Sequence, residues 1–203
     1  MKNPLCITTA FLGIYAGLIA IQHGIFEILQ GNTAPDGLMF NAIGPPCQME
    51  MVWHACFPAM TLIPNLLVTG IAAVAIGATL MLWSLFFVQR SDAGWIPGIL
   101  SIFLLFIGGG FVPVFIGMTA AIASRGLGRS SLQPRLAFLT MLWPWPLVLM
   151  ALWLPGSWLL GHFFGAAMLS ASGLLFLVFD LGLPLLAAVL SANHFESNRK
   201  RDD

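Results

Sequence analysis

Charge is what this sequence most lacks. Only 8% of its 203 residues are Asp, Glu, Lys or Arg, against about 25% in soluble domains, so the chain cannot cover a water-exposed globule. A cytosolic enzyme and a disordered chain are both excluded. Its eight basic and eight acidic side chains cancel, leaving no basic patch for phosphates and excluding a nucleic-acid partner. Cysteine is scarce as well. Cys6, Cys47 and Cys56 are the full set, with no Cys-x-x-Cys spacing for zinc or dithiol chemistry. No Ser/His/Asp order, nucleotide loop or pair of catalytic acids supports a hydrolase or an ATP-driven machine, so enzyme status stays undecided and no cofactor is assigned. No internal repeat points to the two-fold transporter architecture.

Hydrophobic residues fill the space: 59% of the chain, with a mean hydropathy of +0.92. The chain reads as one integral membrane domain over residues 1–203, its first partner the lipid bilayer. A spanning helix needs roughly 20 mainly apolar residues, and five blocks qualify: residues 5–29, 60–88, 96–124, 136–160 and 163–191. Apolar runs this continuous exclude transmembrane strands, whose apolar positions alternate. The first block is too long for a signal peptide's apolar core of about 7–15 residues and lacks a cleavage site, so it is an anchor.

The third block is interrupted by Gly108-Gly109-Gly110 and Pro113. Each glycine weakens a helix by roughly 1 kcal/mol, and proline removes a donor. Positive charge bears on the same point, because short cytoplasmic loops collect Lys and Arg. With five full crossings, Lys2 and Arg90 fall on one side and the other six basic residues on the opposite side. With a broken, returning third block, all eight share one side. The expected fold is therefore an all-α transmembrane bundle of four spanning helices plus a broken or re-entrant third block, with five full spans as the alternative. Both termini, a loop over 125–135 and a solvated tail over 195–203 are then cytoplasmic, while a polar loop over 31–58 and a short turn over 155–162 face outward.

Most polar chemistry lies between Gln22 and Asn65. His23 and Glu27 stand one helical turn apart on one face, and Glu50 and His54 repeat that spacing on a second helical stretch. One reading makes the four an interfacial polar cluster, bonded to one another and to loop backbone. A sharper one makes them a metal or haem site, since paired imidazoles and carboxylates suit zinc, iron or manganese. Cys47 and Cys56 form either a disulfide across the outward loop or a buried free pair. Asp180 is the remaining candidate. It interrupts the fifth block, where a carboxylate is costly unless paired, neutral or facing a polar cavity; it is either functional or bonded to a carbonyl freed by Pro184.

The runs His23-Gly-x-Phe-Glu-Ile-Leu-Gln-Gly-Asn, Ala34-Pro-Asp-Gly, Ala42-Ile-Gly-Pro-Pro-Cys-Gln, Trp53-His-Ala-Cys, Pro58-Ala-Met-Thr-x-Ile-Pro-Asn and Gly108-Gly-Gly-Phe-x-Pro resemble a family of small, uncharacterised prokaryotic integral membrane proteins. The resemblance covers roughly the first 125 residues and implies a prokaryotic plasma membrane location and no reaction. Three function classes follow from the whole. The leading one is an interaction or structural membrane protein whose outward loop contacts a protein partner. The others are a small-molecule, ion or proton transporter using the broken block and Asp180, and a metal- or haem-binding oxidoreductase.

Overall fold

The computed structural model describes residues 3–41, 58–88, 94–125 and 141–202. Helix α1 (Pro4–Gln30) starts on Asn3, whose side chain accepts the Leu5 amide at 2.9 Å, with proline in the first turn, where its missing N–H costs nothing. Beyond Gly31, two short strands, β1 (Met39–Asn41) and β2 (Pro58–Met60), pair antiparallel. Helix α2 (Leu66–Phe86) starts on Asn65, which caps the Val68 amide. Then come α3 (Ile96–Phe106), α4 (Phe111–Ser124), α5 (Pro144–Ser170), α6 (Ser172–Leu175), a π-helical stretch at Phe176–Gly182, and α7 (Leu183–Asp202). Four segments are long and apolar enough to cross a membrane: Pro4–Gln30, Leu66–Phe86, Pro144–Ser170 and Ser172–Ser197.

Helices α1 and α2 run antiparallel with their backbones almost touching. A Cβ placed on Gly24 would lie 2.6 Å from the Gly70 carbonyl oxygen, and one on Gly17 would lie 2.6 Å from that of Gly77. Lipid offers no hydrophobic drive between helices, so close van der Waals approach over small residues takes its place. On its other side α1 buries Leu12, Tyr15, Ala16 and Ala20 in a core shared with Ile116 and Ala120 of α4, Met150 of α5 and Ala187 of α7.

The third block turns back on itself. At about 16 Å and 21 Å, α3 and α4 are each too short for the roughly 30 Å hydrocarbon layer. Gly94 lies against Ser124, Gly98 against Ala121 and Ser101 against Gly117, so the two pieces form an antiparallel hairpin closing at residues 107–110. Four spans with a re-entrant hairpin is the architecture. Because the hairpin tip meets the far end of α1, its base lies on the face of the bundle where α1 begins and α2 ends. Helix α5 rises beside α1, with Trp158 near Phe26, and α7 returns, with His194 packed on Trp143. Both ends of the described chain therefore lie on one face.

One expected boundary needs correction. Residues 155–162 are helical and lie inside α5, which tolerates Pro155; the chain leaves regular helical geometry at Phe164 (φ −129°, ψ 33°) and again at Ala171. A proline does not end a helix whose freed carbonyl finds other partners. The stretch 195–202, expected as a solvated tail, forms the last turns of α7. The segment 126–135 and residues 42–57 of the outward loop lie outside the described residues.

Candidate functional site

The tip of the hairpin is where polar side chains and irregular backbone meet. Gly108 and Gly110 take φ of 89° and 80°, a region that residues with a Cβ avoid. A Cβ on Gly108 would stand 2.6 Å from Glu27 Oε1 and 2.7 Å from Oε2, and one on Gly110 would stand 2.7 Å from His23 Nε2. Glycine is thus required twice over, by backbone conformation and by the side chains of α1 pressed against it.

Irregular backbone at this depth is stable only when its polar groups are satisfied within the protein. The segment over 60–62 does this. Gly108 N–H donates to Met60 O at 2.8 Å and Leu62 N–H donates to Phe106 O at 2.9 Å, bracketing a bridge between Thr61 and Ile107. Thr61 N–H in turn donates to Leu38 O at 2.9 Å. Tip, β2 and the segment leading into β1 form one continuous backbone ladder.

His23 is 3% exposed and Glu27 is fully buried. These are depths of a protein interior, whereas the sequence placed them at a wet boundary. Neither Glu27 oxygen makes a hydrogen bond among the described residues, His23 included. The hydroxyl of Thr69 donates to Leu66 O. A buried polar group left in this state marks a ligand, an ordered water or a catalytic or transport role.

Asp180 lies in the π-helical stretch, a geometry that occurs mostly as bulges at functional sites. Phe179 beside it stacks on Trp153 of α5, with ring centroids 3.8 Å apart and planes within 10°. Asp180 faces a small cleft of about 30 Å³ together with Tyr15, Gln22, His23, Ser157 and Trp153.

The structure therefore joins His23 to Glu27 through the tip, and His23 to Asp180 through the cleft. Glu50, His54, Cys47 and Cys56 lie outside the described residues, and Cys6 is a free, half-buried thiol. No group of three His, Cys, Asp or Glu side chains is gathered among the described residues. Sequence reasoning missed Tyr15, Ser157 and the contact between tip and α1. Tyr15 is the only tyrosine of the chain, and its four-residue steps to Ile19 and His23 were the available signal. No family model, curated protein or solved structure matches this chain.

Proposed function

We propose that this protein moves a small ion across the membrane, through the region where the re-entrant tip meets α1. The observation that carries this reading is the glycine tip seated on buried His23 and Glu27, beside a cleft lined by the intramembrane acid Asp180. Broken helices occur at membrane depth where they line a substrate or ion path, and intramembrane ionisable groups mark such paths. An interaction protein needs neither feature in its interior.

The orientation we propose puts both termini in the cytoplasm of a prokaryotic cell, in the plasma membrane. The helix ends that flank Arg90, Arg125, Arg129 and Arg135 share the face on which the chain starts and finishes, near Lys2 and the run Arg199-Lys200-Arg201. Taking that face as the cytoplasmic one follows the rule that cytoplasmic segments collect Lys and Arg. The family resemblance over the first 125 residues supports the prokaryotic setting, and the outward loop remains the surface we propose for any protein partner.

The test is purified protein in liposomes with unequal H⁺, Na⁺ and K⁺ inside and out, followed with a potential-sensitive dye. Wild type is expected to generate a diffusion potential that empty vesicles lack. A Gly108→Leu protein that still elutes as a single folded species is expected to lose it. Wild-type vesicles indistinguishable from empty ones would refute ion transport.

A further inference from the structure

Two carboxyl groups sit inside the bundle, and among the described residues no Lys or Arg side chain faces either. The one Lys or Arg side chain among the described residues is Arg125, exposed at the end of α4. Around Glu27 are the hairpin glycines, Thr69 of α2 and His23 one turn below; none but His23 titrates. Around Asp180 the cleft offers Tyr15 and His23 from α1, Ser157, Trp153 and Trp158 from α5, and Val112 from α4, of which only Tyr15 and His23 titrate. Hard metal cations take about six or more oxygen ligands. Among the described residues neither acid belongs to a group of three His, Cys, Asp or Glu side chains. A proton needs a single lone pair and no cage.

The spacing is that of a relay. His23 borders both acids: it lines the cleft with Asp180 and touches the tip beside Glu27, which stands four residues on, about 6 Å along the helix axis. An imidazole can accept a proton on one ring nitrogen and release one from the other.

We propose that the ion carried is the proton, passed between Asp180 and Glu27 by way of His23; the proposal rests on the transport reading above. In one direction, the Asp180 carboxyl releases its proton to the cleft and His23 takes up a proton there, giving a carboxylate and an imidazolium. The imidazolium then gives the proton on its other nitrogen to the Glu27 carboxylate. His23 returns to neutral imidazole as its other tautomer, Glu27 becomes a carboxylic acid, and one proton has been transferred overall; a flip of the imidazole ring restores the starting arrangement before the next transfer. Reversal carries it the other way. The glycine tip closes over Glu27, so release from that acid requires the tip to shift, and this keeps the relay from being an open water pore.

The experiment uses the full chain in liposomes with a pH-sensitive dye inside and a potassium–valinomycin potential to drive uptake. Sodium- and potassium-sensitive dyes report from parallel vesicles. Wild type is expected to acidify the interior, and Glu27→Gln and Asp180→Asn are each expected to slow this at least tenfold. Glu27→Asp, which keeps the acid, is expected to retain part of the rate. Each variant is accepted only if its elution profile and melting temperature match wild type. Sodium or potassium movement without acidification would overturn the proton assignment and leave transport standing. Wild-type acidification rates in both Glu27→Gln and Asp180→Asn would overturn the relay. No movement of any of the three ions would overturn the transport reading and this one with it.

Discussion

Replacing Gly108 with alanine tests the tip most directly, because two separable costs fall on one residue. Forcing a residue with a Cβ into a glycine-only backbone region costs about 1–3 kcal/mol, and Gly108 has φ 89°. The new methyl would also stand 2.6 Å from Glu27 Oε1 and 2.9 Å from Glu27 Cδ, an overlap worth about 1–3 kcal/mol in a packed interior. Gly108→Ala should therefore lose about 2–6 kcal/mol. Gly31 supplies the control, with φ 78° but no atom within 4 Å of its Cβ position, so Gly31→Ala should lose only the conformational part, about 1–3 kcal/mol. Shortening Glu27 to alanine removes the overlap, so the cost of Gly108→Ala should fall by about 1–3 kcal/mol in that background. The assay is equilibrium unfolding in mixed detergent micelles followed by helical circular dichroism, on wild type, the three single variants and the double variant. Equal costs of Gly108→Ala with and without the Glu27 side chain would refute the packing of this acid on the tip.

The α1–α2 seam gives a second prediction. Gly24→Ala must push a methyl to 2.6 Å from the Gly70 carbonyl oxygen and should lose about 1–3 kcal/mol, whereas Gly156→Ala, with open space around it in α5, should be neutral or gain up to about 1 kcal/mol; thermal unfolding in detergent compares them. The orientation is checked by single cysteines in a background lacking Cys6, Cys47 and Cys56. An impermeant reagent on intact cells should label Thr33→Cys and spare Ser197→Cys, and the reverse pattern would show the assignment inverted.

The features legible in the sequence were those carried by composition or by short-range pattern. Length and hydropathy gave four spans, and three glycines followed by Pro113 marked the break between α3 and α4. Charge then decided whether that block crosses or returns, since only a hairpin puts Lys2 and Arg90 with the other basic residues. What escaped was long-range. Nothing local ties residue 108 to residue 27, and a run of glycines reads equally as a kink or as a surface cut to fit a carboxylate. The α1–α2 seam was hidden in the same way. Gly17 and Gly24 repeat at seven residues, as do Gly70 and Gly77, yet glycine is common in membrane helices and the spacing acquires meaning only when its partner helix is known. Pro155 misled for a physical reason: in a bundle its freed carbonyl can be satisfied by neighbours, so α5 runs past it and bends instead at Phe164, just before Gly165.

The outward loop and the buried site, separate in the sequence, are mechanically one unit. Met60 O and Leu62 N–H hold the tip at Gly108 and Phe106, and Thr61 N–H passes the ladder on to Leu38. Withdrawing β2 would orphan the Gly108 N–H and the Phe106 carbonyl in a place water reaches poorly, at about 1–3 kcal/mol for each. The tip and β2 must therefore move together or not at all. A ligand or protein that binds the outward loop need not reach Glu27 to act on it; shifting β2 is enough to shift the glycines that cover the acid. The converse also holds. A change in the charge of Glu27 would alter its contact with Gly108, and the segment bonded directly to the tip is the strand pair Met39–Asn41 and Pro58–Met60.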